Sequence, residues 1–325
     1  MTMTEFEHHF RAMGTEVGLW LWSRHEQQAR QALVDIEQFF AQTEARLSRF
    51  QPESELSQLN RAAGRPFAAS SLLFELVETA LVWQERTAGI FDPTILKALM
   101  AYGYDRSFET IGEHLSRDNI AAPVASSLNP VHVKLNRVEQ TITLPPESGL
   151  DLGGIAKGWT VQQAAQRLGQ HGPALVDAGG DIVCVDNPPS GSPWLVGLAD
   201  PHRPEIDLAT LVLRNEAVAT SSVARRRWRH GGIDAHHLID PRTGAPALTD
   251  LVSVTVIGPA LPAAEIHAKV TLILGQKQGL AYLAAQPALS ALLVTNEGRP
   301  ILYGSFENKA YVYSINFTNT FVNLV

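Results

Sequence analysis

Residues 15–22, TEVGLWLW, read as a strand, and after them the apolar spacing lengthens. Leu33, Ile36, Phe40 and Leu47 recur at helical intervals, predicting a first helix that ends near Arg49. A second helix is better marked: Ser70 or Ser71 caps it, Leu73, Leu76, Val77, Ala80 and Leu81 share one face, and Gly89 stops it. Between Ser107 and Pro130 the chain turns polar, with Pro and Ser, and reads as a loop or insertion. VHVKLNRVEQTITLP then alternates on both sides of Asn136, a hairpin signal.

The second half repeats this mixture. DLGGIAKGWTVQQAAQRLGQHG is a glycine turn leading into a helix with Val161, Ala164, Ala165 and Leu168 on one face, and ALVDAGGDIVCV is strand, glycine turn, strand. WLVGLADP, LATLVLRNEAVATSS, HHLIDP and LVSVTVIGP read as strands, LPAAEIHAKVTLILG as a helix with Pro262 near its start and Gly275 at its end, and SALLVTNEGRPILYG as a last hairpin. Helices and hairpins mixed in this way predict an α+β class, with mixed and antiparallel sheets and packed helices, rather than a doubly wound parallel sheet.

Composition agrees with a globular chain: 325 residues are 45% hydrophobic and 18% charged. The net charge of -7, with basic residues scattered apart from the run Arg225–Arg229, argues against a nucleic-acid surface, and that run reads as a solvated strand edge or loop. The one cysteine, Cys184, excludes an internal disulfide and a multi-cysteine metal site, and in DIVCVD it reads as a core residue. MTMTEFEHHFRAMGTEVG has no apolar core of a signal peptide, and no run of about 18 apolar residues occurs, so the expectation is a cytoplasmic protein without membrane insertion.

Four stretches carry candidate chemistry. In DLGGIAKGW, Gly153 and Gly154 allow close backbone approach and Lys157 adds charge beside a helix N-terminus, which suits a pyrophosphate; an ordinary strand-to-helix turn reads the same way locally. DAGGDI adds Asp177 and Asp181 on a glycine turn and by itself reads as a tight hairpin. AHHLIDPRTG sets His236 and His237 side by side on a strand, where only one of them can face a given site. No second ligand cluster accompanies them as zinc would need, and ATSSV lacks the elbow of a serine nucleophile.

In order, RAMGTEV, LSRFQPESELSQLN, AGIFDPTI, DLGGIAKGW, DAGGDI, AVATSS, HHLIDPRTG and VSVTVIGPALPAAEIHAKVTLILG resemble the flavin transferases of the ApbE type, across nearly residues 10–300. The resemblance implies an enzyme that cleaves FAD and attaches FMN to a threonine of a target flavoprotein, with AMP released. It assigns residues 1–305 to the catalytic domain and leaves 306–325 as a divergent tail, in which Tyr311, Tyr313, Ile315 and Phe317 alternate as in a strand that closes a sheet edge. It implies flavin or FAD contacts for Met13, Phe50, Ile90, Phe91, Asp92, Asp151, Lys157 and Leu238. The local alternatives are core packing for Met13 and Phe50 and a helix N-cap for Asp92. His237 matches the histidine of the family's H-I-D-P-x-T-G block, and Thr220 with Ser221 its T-S pair; His237 and Asp181 are both candidates for the general base.

One block departs from the family. Where the family has A-D-x-x-A-T, with the Asp and Thr ligating Mg²⁺ beside a backbone carbonyl that matches Gly154, this chain has Glu265 and Lys269. A protonated lysine cannot ligate a hard cation. The local reading of Glu265 and Lys269 is a surface ion pair of about 0.3–0.5 kcal/mol; the family reading makes Lys269 a cation that replaces Mg²⁺. Two activities remain compatible with these residues. His237, Lys157 and the T-S pair favour transfer, whereas the altered metal block favours a flavin-binding protein without transfer, or a slow pyrophosphatase giving FMN and AMP.

Overall fold

A computed structural model of the chain describes residues 2–111, 131–306 and 309–312. Its contacts group into two compact units, one of Met1–Ala41, Lys157–Ala224 and Thr249–Val325, the other of Gln42–Ala156 and Arg225–Leu248.

The first unit is built on an eight-stranded sheet whose order follows the chain: Thr4–Ala12, Thr15–Ser23, Ala174–Ala178, Asp181–Val185, Ala217–Ser222, Leu251–Gly258, Ser290–Thr295, Pro300–Tyr303. Every neighbouring pair is antiparallel. The first of these strands is absent from the sequence reading, although Phe6, His8, Phe10 and Ala12 do alternate toward the less exposed side. The hairpin after it turns on Met13 and Gly14, with φ of 52° and 69°. Those values suit the right-handed twist of a two-residue turn, and Met13 occupies a conformation that favours Gly or Asn.

Leu251–Gly258 and Ser290–Thr295 are buried throughout. The helix Leu261–Ala284 packs on Leu251–Gly258 and Ala217–Ser222, and its apolar residues leave almost no polar face because nearly every side of its first half is covered. Gly275, at φ 75° and ψ 177°, ends the first helical segment as expected; the Gln276 N–H then donates to Asp250 Oδ1 at 2.7 Å, and a second segment continues to Ala284. Helix Ala156–Gly169 buries Val161, Ala164, Ala165 and Leu168 completely, as its spacing predicts. A smaller sheet orders Trp194–Ala199, Asp207–Leu213 and Ala310–Val312, so the start of the tail pairs as an edge strand; Tyr313, Ile315 and Phe317 lie outside the described residues.

In the second unit, Ser70 caps helix Ser71–Arg86 by accepting from the Leu73 N–H, and Phe74, rather than Leu81, joins the buried face. The hairpin around Asn136 forms between Lys134–Asn136 and Thr141–Thr143, with Pro66–Ala68 on its other edge. Ala98, Leu99, Tyr102, Tyr104, Ile111, Trp228, Ala235 and Ile239 make one core cluster. Trp228 therefore interrupts the basic run: it is buried, while Arg227 and Arg229 on the same strand stay exposed.

Candidate active site

The candidate residues divide between the units. Met13, Lys157, Asp181, Thr220, Glu265 and Lys269 belong to the first; Phe50, Ile90, Phe91, Asp92, Asp151, Gly154, His237 and Leu238 belong to the second.

In the first unit the charges form a buried cluster around a glycine turn. Gly179 and Gly180 both take positive φ, closing the hairpin between Ala178 and Asp181 as the local reading of DAGGDI predicts. The Lys157 ammonium pairs with Asp181 Oδ2 and donates to the Ala178 carbonyl at 3.3 Å, so it clamps this turn. Asp181 is 4% exposed, and its other oxygen accepts from the Thr220 N–H at 3.3 Å. The Thr220 hydroxyl in turn meets that of Thr255 at 2.9 Å. Asp177 accepts from the Gly180 N–H; burial raises its carboxyl above the ordinary range, Gly180 and Lys157 oppose that shift, and Asp181 reinforces it.

Glu265 is the structural surprise. Its side chain is 8% exposed and that of Lys269 15%, with 3.8 Å between Oε1 and Nζ, so the pair is not on the surface. Glu265 Oε2 also accepts the Gly158 N–H at 3.1 Å, the third residue of helix Ala156–Gly169. A carboxylate there meets an otherwise unpaired donor at the positive end of the helix dipole. Gly158 permits the approach, since a Cβ on it would lie 2.5 Å from Oε2. Burial raises the Glu265 carboxyl, with Lys269 opposing and Asp181 adding to the shift. One N–H that the sequence offers to a pyrophosphate is thus already bonded to Glu265, and the Lys157 charge is already matched by Asp181.

In the second unit, a residue that sequence reasoning missed organises the predicted ones. Arg49 Nε donates to Asp151 Oδ2 at 2.5 Å, and its guanidinium lies 4.1 Å from the Phe50 ring centroid and 4.6 Å from that of Tyr104. Phe50 is 38% exposed and so is not a core residue. Asp151 Oδ1 accepts from the Gly153 N–H, and the Asp151 N–H donates to the Pro93 carbonyl. Asn60 exchanges two side-chain hydrogen bonds with the Leu150 backbone, which fixes the approach to Asp151. Asp92 is not a helix N-cap: its Oδ1 accepts from the Thr94 N–H, the Thr94 hydroxyl and Gln84, which shapes the loop. Phe91 is buried beside it, while Ile90 is half-buried.

The strand carrying the histidines ends at His236, and His237 lies in the bend beyond it. His236 is buried, bonds the Ala247 carbonyl through Nε2 at 3.1 Å, and has its pKa lowered, chiefly by burial. His237 is half-buried and Leu238 buried.

A family model described as the ApbE family matches residues 13–293. The chain belongs to the ApbE family. A relative from Treponema pallidum, named FAD:protein FMN transferase, is 31% identical over 82% of this chain and 78% of its own length. One of the same name from Vibrio cholerae is 26% identical over 82% and 80%. The crystal structure of the ApbE protein from Thermotoga maritima matches with a TM-score of 0.80 at 24% identity, over 94% of this chain and 99% of that one. Flavin transferase ApbE from Vibrio cholerae matches at 0.74 and 22%, over 94% and 99%. These likenesses establish the ApbE fold, with helices and antiparallel sheets as expected. Among the described residues, no helix is long and apolar enough to cross a membrane.

Mg²⁺ does not fit the donors of this ApbE chain. Glu265 already bonds the Gly158 N–H and pairs with Lys269, whose protonated ammonium offers no lone pair to a hard cation.

Proposed function

We infer that this ApbE-family chain acts as an FAD:protein FMN transferase. A Thr or Ser hydroxyl of a target flavoprotein in the cytoplasm attacks the FMN-side phosphorus of FAD; the new P–O bond forms as the anhydride bond to AMP breaks, and the hydroxyl proton passes to a base. The observation that carries this reading is the family match over residues 13–293, supported by relatives named for that activity.

His237 is the proposed base. Asp181 is the weaker candidate, because both its oxygens are occupied, by Lys157 and by the Thr220 N–H. Lys157 holds the Gly179–Gly180 turn and Thr220 the end of Asp181, which makes them positioning groups as much as charge-stabilising ones. Met13, Phe50, Ile90, Phe91, Asp92, Asp151 and Leu238 are the proposed FAD contacts.

In place of Mg²⁺, the Lys269 ammonium, oriented by Glu265, supplies positive charge to the pyrophosphate; a single charge in place of a double one makes transfer slower but less dependent on metal. Activity then survives EDTA, and Glu265→Asp with Lys269→Thr creates a Mg²⁺ requirement. Loss of activity on chelation, restored by stoichiometric Mg²⁺, refutes the substitution.

The altered metal block supports one rival, cleavage without transfer. Incubating the protein with FAD and a threonine-bearing acceptor peptide separates the two. A covalent FMN mass shift with AMP release supports transfer, and free FMN with AMP but no adduct supports the rival. Absence of any flavin fluorescence change at high micromolar FAD refutes both.

A further inference from the structure

The second unit contains a guanidinium with a donor still to be matched. The Arg49 side chain is 7% exposed, and its Nη2 is buried with no hydrogen-bond partner among the described residues. Buried N–H groups are nearly always satisfied, so this one points to a bound acceptor. Arg49 and Phe50 line the same pocket of about 550 Å³, with Arg61, Met100 and Arg106 also on its wall.

The chemistry of the acceptor follows from the surroundings. Asp151 already balances the Arg49 charge at 2.5 Å, so the remaining N–H suits a neutral oxygen better than a phosphate, which favours an uncompensated cation. The guanidinium lies over the Phe50 ring, and Phe50 is 38% exposed, which leaves an aromatic surface open beside the donor. Tyr104 and Asp151 both touch the guanidinium, so the donor and the Phe50 ring have a fixed relation.

We propose that Arg49 is a positioning and specificity residue for the flavin ring: it backs Phe50, fixes Asp151, and donates Nη2–H to a carbonyl oxygen of an isoalloxazine that lies beside the exposed edge of Phe50. This rests on the FAD reading above and adds a residue to it.

The test is titration of full-length protein with FAD and, separately, with riboflavin, for wild type, Arg49→Gln and Arg49→Lys, with thermal midpoints measured alongside. The missing contact lies on the ring, so both ligands weaken by the same factor, about tenfold, in both variants. Lysine still neutralises Asp151, so Arg49→Lys keeps a midpoint near wild type while losing affinity, which a purely structural role does not produce. The proposal is overturned if riboflavin binding is unchanged in folded Arg49→Lys, or if FAD weakens while riboflavin does not, which moves Arg49 to the ribose or phosphates. Wild type that binds neither ligand overturns the FAD reading itself, and this proposal with it.

Discussion

The two units handle buried charge in opposite ways. The first gathers Lys157, Asp177, Asp181, Glu265 and Lys269 around a glycine turn and a helix start, with lysine ammonium groups on flexible stems as the cations. The second holds Arg49 and Asp151 with the guanidinium against the rings of Phe50 and Tyr104. A lysine is a point charge that adapts to a changing partner, whereas a planar guanidinium stacked on rings holds one geometry. The first arrangement is suited to charge that appears and moves in a reaction, the second to holding a flat group still.

The largest effect that tests this division concerns the histidines of the second unit. His237→Ala is expected to lower transfer by roughly 100-fold or more, with FAD affinity nearly kept. His236→Ala is expected to cost about 1 kcal/mol of stability through its lost bond to Ala247, with a smaller effect on turnover. Steady-state kinetics and denaturant melts of both variants check this; equal losses of turnover remove the distinction.

Next in size is Lys269→Ala, which leaves Glu265 buried and uncompensated. A loss of about 3 kcal/mol is expected, and the double change with Glu265→Gln recovers much of it because no lone charge remains. Additive losses in that cycle show that the two side chains do not act as a pair. Gly158→Ala is a narrower probe: the new Cβ drives Glu265 from the helix start, for roughly 1–3 kcal/mol in thermal melts.

The smallest effect is a pair of opposed pH slopes. Glu265 has a raised folded pKa, so above its ordinary value of 4.5 the unfolded chain releases a proton that the fold retains, and stability falls as pH rises through that window. Glu265→Gln removes this slope. His267, bonded to Tyr282 at 2.7 Å, is pushed down to about 4 from 6.5, so its contribution is full above 6.5 and is lost as pH falls toward 4. His267→Phe flattens the acid side in melts run across pH. Slopes that persist in both variants assign the titration to other groups.

Much of the fold was legible from period and punctuation. Val161, Ala164, Ala165 and Leu168 declared the buried face of their helix, Ser70 the cap of helix Ser71–Arg86, and Gly179–Gly180 a hairpin, because each signal is local. The strand Thr4–Ala12 was missed because His8 stands among the less exposed positions and weakens the alternation. The continuation past Gly275 was missed because the Gln276 N–H is met by Asp250, 26 residues earlier, and not by a local cap.

At the candidate site, the sequence by itself determined which residue types are available: the ordered blocks, the histidine pair, the glycine turns, and Glu265 four residues before Lys269. Tertiary structure alone decided what those groups do. Glu265 reaches a helix start 107 positions away, Lys157 reaches Asp181, and Arg49 reaches Asp151 across 102 residues. Burial then turned a pair that reads as a weak surface bridge into one that neither partner can lose cheaply. Charge interactions depend on distance and on the surrounding medium, and neither is written in the spacing of residues along a chain.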